Sequence, residues 1–364
     1  MQRESEPDTA AGPAGGDIGP SGVTATGPGS WPGSDPAEAA RIIRGELGDP
    51  HLPFLVELPQ RGIGADPVGR TAGLLVELPV DLQPHGWRLV DRPGMDHRRA
   101  VSLLSRDINA LADVIGEEED PGRRLAISLQ GPLSLAAGLH LHNGERALSD
   151  AGARREIAES LAAGAAAFVN RVKEIARGAA IVVQLDEPHL DRILGGQIPT
   201  ASGYRTLRSV PAQEASLVWT MVREALAAAG ASDVVLRLPT AGHGQPKSGL
   251  DLALGAGTDG VALPLRGLGD RDWEGIAEAV EAGKQVWLGV LPLPAAGAEP
   301  RQVTALVEDI TRPWTRIGLP LRDLPALHIT PDGPLAELAP ASARRVLARL
   351  TQAASALDQL AAEG

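Results

Sequence analysis

The chain has 364 residues, a formal net charge of −12 at pH 7, 43% hydrophobic and 22% charged residues, and no cysteine. Such a composition buries a sizeable core and excludes a chain disordered throughout. No stretch gathers Lys and Arg as a phosphate-tracking surface requires, which argues against a nucleic-acid partner; the missing cysteines exclude disulfides, thiolate nucleophiles and thiolate metal ligands.

Residues 1–21 are rich in Gly, Pro, Ala and acids and lack the apolar run of a secretory signal, so they read as a disordered tail on a cytoplasmic protein. From Gly22 onward, short apolar runs alternate with longer Ala-rich stretches of helical period, the pattern of βα units around a parallel sheet. Strands are predicted at 22–26, 73–78, 125–129, 181–186, 234–238, 260–263, 285–290 and 326–330. Helices are predicted at 35–47, 96–115, 151–176, 211–229, 248–255, 272–282, 300–317 and 341–362, with Asp35-Pro36 a clear helix start. The fold class is therefore α/β, a single (β/α)8 TIM barrel over residues 22–364. With aromatic residues at 2%, its core must be built from Ala, Val, Leu and Ile.

Residues 125–144 carry no charge over a length that could span a bilayer. They contain Gln130, Pro132, His140, His142 and Asn143, however, and read as a buried strand followed by a helix, with no membrane partner. His140 and His142, two apart, fall on different faces of that helix and make no metal pair. The longest irregular stretches, 48–70 and 190–210, follow the first and fourth strands, where loops of this fold build the active site.

Gln184-Leu185-Asp186-Glu187-Pro188 sets two consecutive acids at the end of a buried strand. Asp186 and Glu187 are the candidate catalytic residues, because partial burial and mutual repulsion raise one carboxyl into a range useful for proton transfer, and a carboxylate there also binds an ammonium group. The structural alternative is a helix cap or a salt bridge to Arg192. The first strand runs into Thr26-Gly27-Pro28-Gly29-Ser30-Trp31-Pro32-Gly33, whose glycines let the backbone approach a ligand and offer amide donors to a carboxylate just before a helix; such turns also occur for purely structural reasons. Gln130-Gly131-Pro132-Leu133-Ser134 follows the third strand in the same way. In 200–208, Tyr204, Arg205 and Arg208 form either an anion clamp or a solvated surface loop.

Taken in order, the Gly-Ser-Trp-Pro turn, the Gly-Pro turn and Gln-Leu-Asp-Glu-Pro resemble the C-terminal catalytic barrel of the cobalamin-independent methionine synthase family, from Gly22 to the last helix. In that family a zinc-bound homocysteine thiolate takes the methyl group of a methylated folate. The resemblance implies a methionine synthase-like methyltransferase with an amino acid pocket for homocysteine or methionine. Gly29 and Ser30, beside Trp31, would hold the substrate carboxylate, Asp186 its ammonium group, and Glu57 would be a further acidic contact.

The sequence departs from the family at the metal. The family places His-x-Cys, Glu, His and Cys after strands five to eight, where this chain reads Leu236-Arg237-Leu238-Pro239, Val261-Ala262-Leu263-Pro264, Gly289-Val290-Leu291-Pro292-Leu293 and Thr330-Pro331-Asp332-Gly333. No metal ligand is predicted, and Arg237, near the lost histidine, offers a cation to an anionic group instead. Two alternatives stand beside the methyltransferase. One is a catalytically silent or repurposed amino acid-binding homologue; the other is a metal-free enzyme similar to uroporphyrinogen decarboxylase, with Arg205, Arg208 and Arg237 holding substrate carboxylates.

Overall fold

The structure, a computed structural model, describes residues 22–120, 122–239 and 249–364; the expected tail at 1–21 and the expected helix start at 248 lie outside the described residues. In chain order the elements are β1 (Thr24–Ala25), α1 (Pro36–Glu46), α2 (Pro67–Ala72), β2 (Val80–Gln83), β3 (Gly86–Leu89), α3 (Met95–Gly116), β4 (Arg124–Gln130), α4 (Pro132–Gly138), α5 (Ala151–Ile175) and β5 (Ala180–Asp186). They continue with α6 (Leu190–Leu194), α7 (Ala212–Ala228), β6 (Asp233–Arg237), α8 (Gly249–Gly255), β7 (Gly260–Pro264), α9 (Asp270–Glu281), β8 (Gln285–Pro292), α10 (Val303–Arg316), β9 (Leu327–Asp332) and α11 (Pro340–Glu363).

Seven strands form one sheet in the order β1-β9-β8-β7-β6-β5-β4, parallel throughout. Helices cover a parallel sheet on its outer face, so its strands lack the alternation of a half-wetted ribbon. Every residue of β4 is buried, and so are the five central residues of β5. The helices meet the sheet with apolar stripes, such as Leu104, Ile108 and Leu111 of α3. Helix α1 starts as its sequence dictates, Asp35 accepting hydrogen bonds from the Ala37 and Glu38 amides with Pro36 in the first turn.

The sheet curls until both of its edges reach one segment, Leu52 to Glu57. Leu52 donates to the Ala25 carbonyl of β1 at 3.0 Å, while Leu55 donates to Ala126 of β4 at 2.9 Å and Ala126 donates back to Pro53 at 2.8 Å. This corrects the expected second strand at 73–78. Gly73 instead caps α2, Glu77 takes a positive φ of 61°, and the Val76 carbonyl accepts from Ser160 of α5, so the run crosses a helix and joins no sheet. The true edge-spanning segment is hidden in the sequence because Pro53 has no N–H and interrupts its ladder.

The stretch 48–70, expected to be irregular, also holds the start of α2, and 190–210 begins with α6. His140 is not helical: it follows α4 and bridges Arg88 and Arg146 in extended backbone. Residues 125–144 divide between β4, α4 and that bridge, and among the described residues no helix is long and apolar enough to cross a membrane.

Candidate active site

The carboxyl ends of the strands surround a cavity of about 230 Å³ whose polar walls include Gln184, Asp186, Glu187, Arg237 and Asp332. Parallel pairing fixes the geometry, because the β5 and β6 registers set Asp186 directly opposite Arg237. Arg237 Nη1 donates to Asp186 Oδ2 at 3.3 Å, and Gln184 Nε2 donates to Oδ1 at 2.6 Å. Burial raises the Asp186 carboxyl from its ordinary value, and the Arg237 charge and the Gln184 bond oppose that rise.

Glu187, the other expected catalytic acid, is fully buried. Its Oε1 accepts from the Leu133 amide at 3.0 Å and from Trp219 Nε1 at 2.9 Å, and its Oε2 accepts from the Ser134 amide at 2.7 Å. The first-turn amides of α4 lack partners within their own helix, and the Glu187 carboxyl satisfies two of them. It thereby holds the Gly131-Pro132 turn against β5. The expected alternative, a cap, describes this geometry, although neither acid pairs with Arg192.

A second group lies beside the first. Ser30 and Glu57 form a parallel bridge, and a Cβ on Gly29 would stand 3.3 Å from the Glu57 carboxyl carbon. Glu57 lies 3.4 Å from Arg70 Nε, and Arg70 Nη1 donates to Asp107 at 2.6 Å, as Arg61 Nη2 does at 2.8 Å. Burial pushes the Glu57 carboxyl up to about 7, Arg70 opposing and Asp186 adding to the rise. The field of Asp186 at Glu57 links the two groups.

Gly29, Ser30 and Glu57 thus come together, as do Asp186, Glu187 and Arg237, with Pro28 carrying the first turn to the cavity wall. Trp31, expected at the substrate, is 1% exposed and lies in the hydrophobic core; its large apolar surface supports the turn from behind. Arg205 and Arg208 are exposed and Tyr204 is 93% exposed, and none of the three lines the cavity. The expected arginine cluster reduces to Arg237.

No protein-family model matches the chain, and no curated protein matches it in sequence. Among solved structures, a B12-independent methionine synthase from Shewanella sp. W3-18-1, in complex with selenomethionine, is similar with a TM-score of 0.57 and 11% identity, over 93% of this chain and 98% of that one. A methyltransferase from Methanosarcina mazei is similar with a TM-score of 0.55 and 12% identity, over 91% and 94%. This chain shares their fold. At these identities the methionine synthase-like fold is what the likeness shows.

Within that fold the sequence reading missed Arg70, Asp107 and Trp219. Asp66-Pro67 repeats the helix-start signal recognised at Asp35-Pro36 and marks α2, which carries Arg70. Asp107 sits among Leu103, Leu104, Ile108 and Leu111 on the apolar stripe of α3, and an acid on such a stripe needs a buried partner. Nothing near Trp219 in the sequence points to Glu187.

Proposed function

We propose that the chain is a methionine synthase-like methyltransferase that binds an amino acid of the homocysteine or methionine class at its strand ends, in methionine biosynthesis. In this reading Leu52 to Glu57 is the eighth position of a complete (β/α)8 barrel over residues 22–364, bonded as it is to both β1 and β4. The observation that carries the reading is Asp186, a quarter exposed at the cavity, with Glu57 beside it as a second acid that ionises near neutral pH. The Asp186 carboxyl at the end of a buried strand attracts an ammonium group in a site of low dielectric, and the charge of Glu57 behind the cavity wall adds to that field. The methionine synthase-like fold over nearly the whole chain supports it, as does the amino acid bound to the Shewanella protein.

The residues present do not fit the zinc of the resembling family. The chain has no cysteine, and among the described residues no three His, Asp or Glu side chains gather as metal ligands. No step of methyl transfer is therefore routed through a metal, and a methylated folate remains the donor by resemblance alone. A second reading, the repurposed amino acid-binding homologue, is favoured by Arg237, which stands in the cavity as a partner of Asp186 near where the resembling family has a metal ligand.

Calorimetric titration with methionine and homocysteine, followed by an assay of methyl transfer from methylated folate to homocysteine, separates the readings. Binding with turnover supports the methyltransferase. Binding without turnover supports the repurposed homologue, and absence of binding to either amino acid contradicts both.

A further inference from the structure

The Asp186 to Arg237 contact is loose for a pair of charges. Charge-assisted N–H to O bonds are typically about 2.7–2.9 Å, whereas this one is 3.3 Å and the two side chains keep 34% and 25% exposure, Arg237 the larger. A guanidinium carries five N–H donors, and among the described residues Arg237 places only Nη1 in a hydrogen bond. On the other side Asp186 Oδ1 is fixed by Gln184 at 2.6 Å, which holds the carboxylate plane while Oδ2 faces the guanidinium.

Among the described residues the rest of the wall offers an anion almost nothing. Five of its residues, Pro28, Pro188, Pro239, Pro264 and Pro331, are prolines and have no backbone N–H. The Glu187 and Leu238 amides are already used, donating to Arg237 and Ala262 carbonyls at 2.9 Å each. Gly29 and Ser30 are not part of this wall, and Arg237 is the one cationic side chain among the described residues that line it. Beside Arg237 the surface is apolar, with Leu238, Ala262 and Leu263.

We propose that the Asp186–Arg237 pair docks the zwitterion of an α-amino acid, Arg237 taking the α-carboxylate and Asp186 the α-ammonium, with the side chain laid on Leu238, Ala262 and Leu263. The pose rests on the amino acid-binding reading above and specifies it: the carboxylate anchor is a side-chain cation of β6, in place of the turn at Gly29 and Ser30. Adjacent opposite charges on the ligand meet adjacent opposite charges on neighbouring strands. Each ion of the protein pair exchanges one loose contact for a ligand contact, so neither is left buried and uncompensated.

The test uses calorimetry on the full chain with three probes: L-methionine, L-methioninol, which lacks the carboxylate, and N-acetyl-L-methionine, which lacks the ammonium. The wild-type protein is expected to prefer methionine over methioninol by at least about tenfold. In Arg237→Gln that preference falls to within about threefold, in Ser30→Ala it persists, and Arg237→Lys restores part of it. Circular dichroism and thermal unfolding establish that each variant is folded. A full preference retained in Arg237→Gln, or one lost in Ser30→Ala, overturns the pose while leaving amino acid binding intact. If the wild-type protein binds none of the three, the amino acid reading falls and the pose with it.

Discussion

Ser30 and Glu57 face one another across a parallel bridge, with the Trp31 amide donating to the Glu57 carbonyl at 2.8 Å and the Glu57 amide donating to the Gly29 carbonyl at 2.9 Å. Two hydrogen bonds thus fasten the turn after β1 to the end of the Leu52 to Glu57 segment. The fastening requires glycine at 29. Its φ is +92°, and a Cβ there would stand 2.9 Å from Ser128 Oγ. Gly29→Ala is expected to destabilise the protein by about 1–2 kcal/mol from backbone conformation alone, and more from the crowding of Ser128 and Glu57. Denaturant unfolding of the variant measures this, and an unchanged midpoint contradicts it.

Glu57 gives the protein a defined pH dependence. Burial pushes its folded carboxyl up to about 7 from an ordinary value of 4.5, so the folded state retains a proton that the unfolded chain has already lost. The sign follows: stability falls as pH rises from the unfolded value through 7, by an amount of at most about 3 kcal/mol, since the Glu57 side chain keeps 14% exposure. Ammonium binding moves the other way, strengthening as Glu57 ionises. Glu57→Gln should remove both slopes between about pH 5 and 8, measured as unfolding free energy and as methionine affinity across that range. A variant as steep as the wild type contradicts the assignment.

Most of the strands and helices were legible because parallel strands under helices are continuous apolar runs and the helices keep a 3.6-residue stripe. The second sheet position was not, for a local reason: Pro53 removes a ladder donor from Leu52 to Glu57, while Leu74-Leu75-Val76 has the apolar look of a strand but packs across α5. Asp186 was visible as an acid at the end of a buried run. The partners of its neighbour Glu187 were not, since Trp219 lies 32 residues away along the chain and only tertiary packing brings the indole to the carboxylate.

Asp107 illustrates a buried charge whose worth depends on its partners. It is fully buried and accepts from Arg61 and Arg70. Asp107→Asn leaves Arg61 without its counter-ion and Arg70 with Glu57 alone, and is expected to lower stability by about 3–5 kcal/mol. Because Arg70 also faces Glu57, the same substitution should move the Glu57 titration downward, detectable by carboxyl-labelled NMR. A loss of stability with no movement of Glu57 would confine Asp107 to the scaffold.

Glu187 is expected to act through position and not through proton transfer. Three of its hydrogen bonds come from N–H donors on the two carboxylate oxygens and the Ser134 hydroxyl is a further partner, so the amide of Glu187→Gln replaces one acceptor oxygen by an N–H2 that faces N–H donors. Destabilisation of about 1–3 kcal/mol is predicted. Trp219→Phe, which deletes a single donor, should cost about 1 kcal/mol. Thermal unfolding of both variants checks the order, and a Glu187→Gln protein as stable as the wild type contradicts it.

Asp186 is where the account is most exposed to test. Calorimetric titration of methionine into the wild-type protein and Asp186→Asn, with folding of both confirmed by circular dichroism, is predicted to show one site per wild-type chain and an affinity at least about tenfold weaker in the variant. Equal affinity in the two proteins would contradict the claim that this carboxylate receives the ligand's ammonium group.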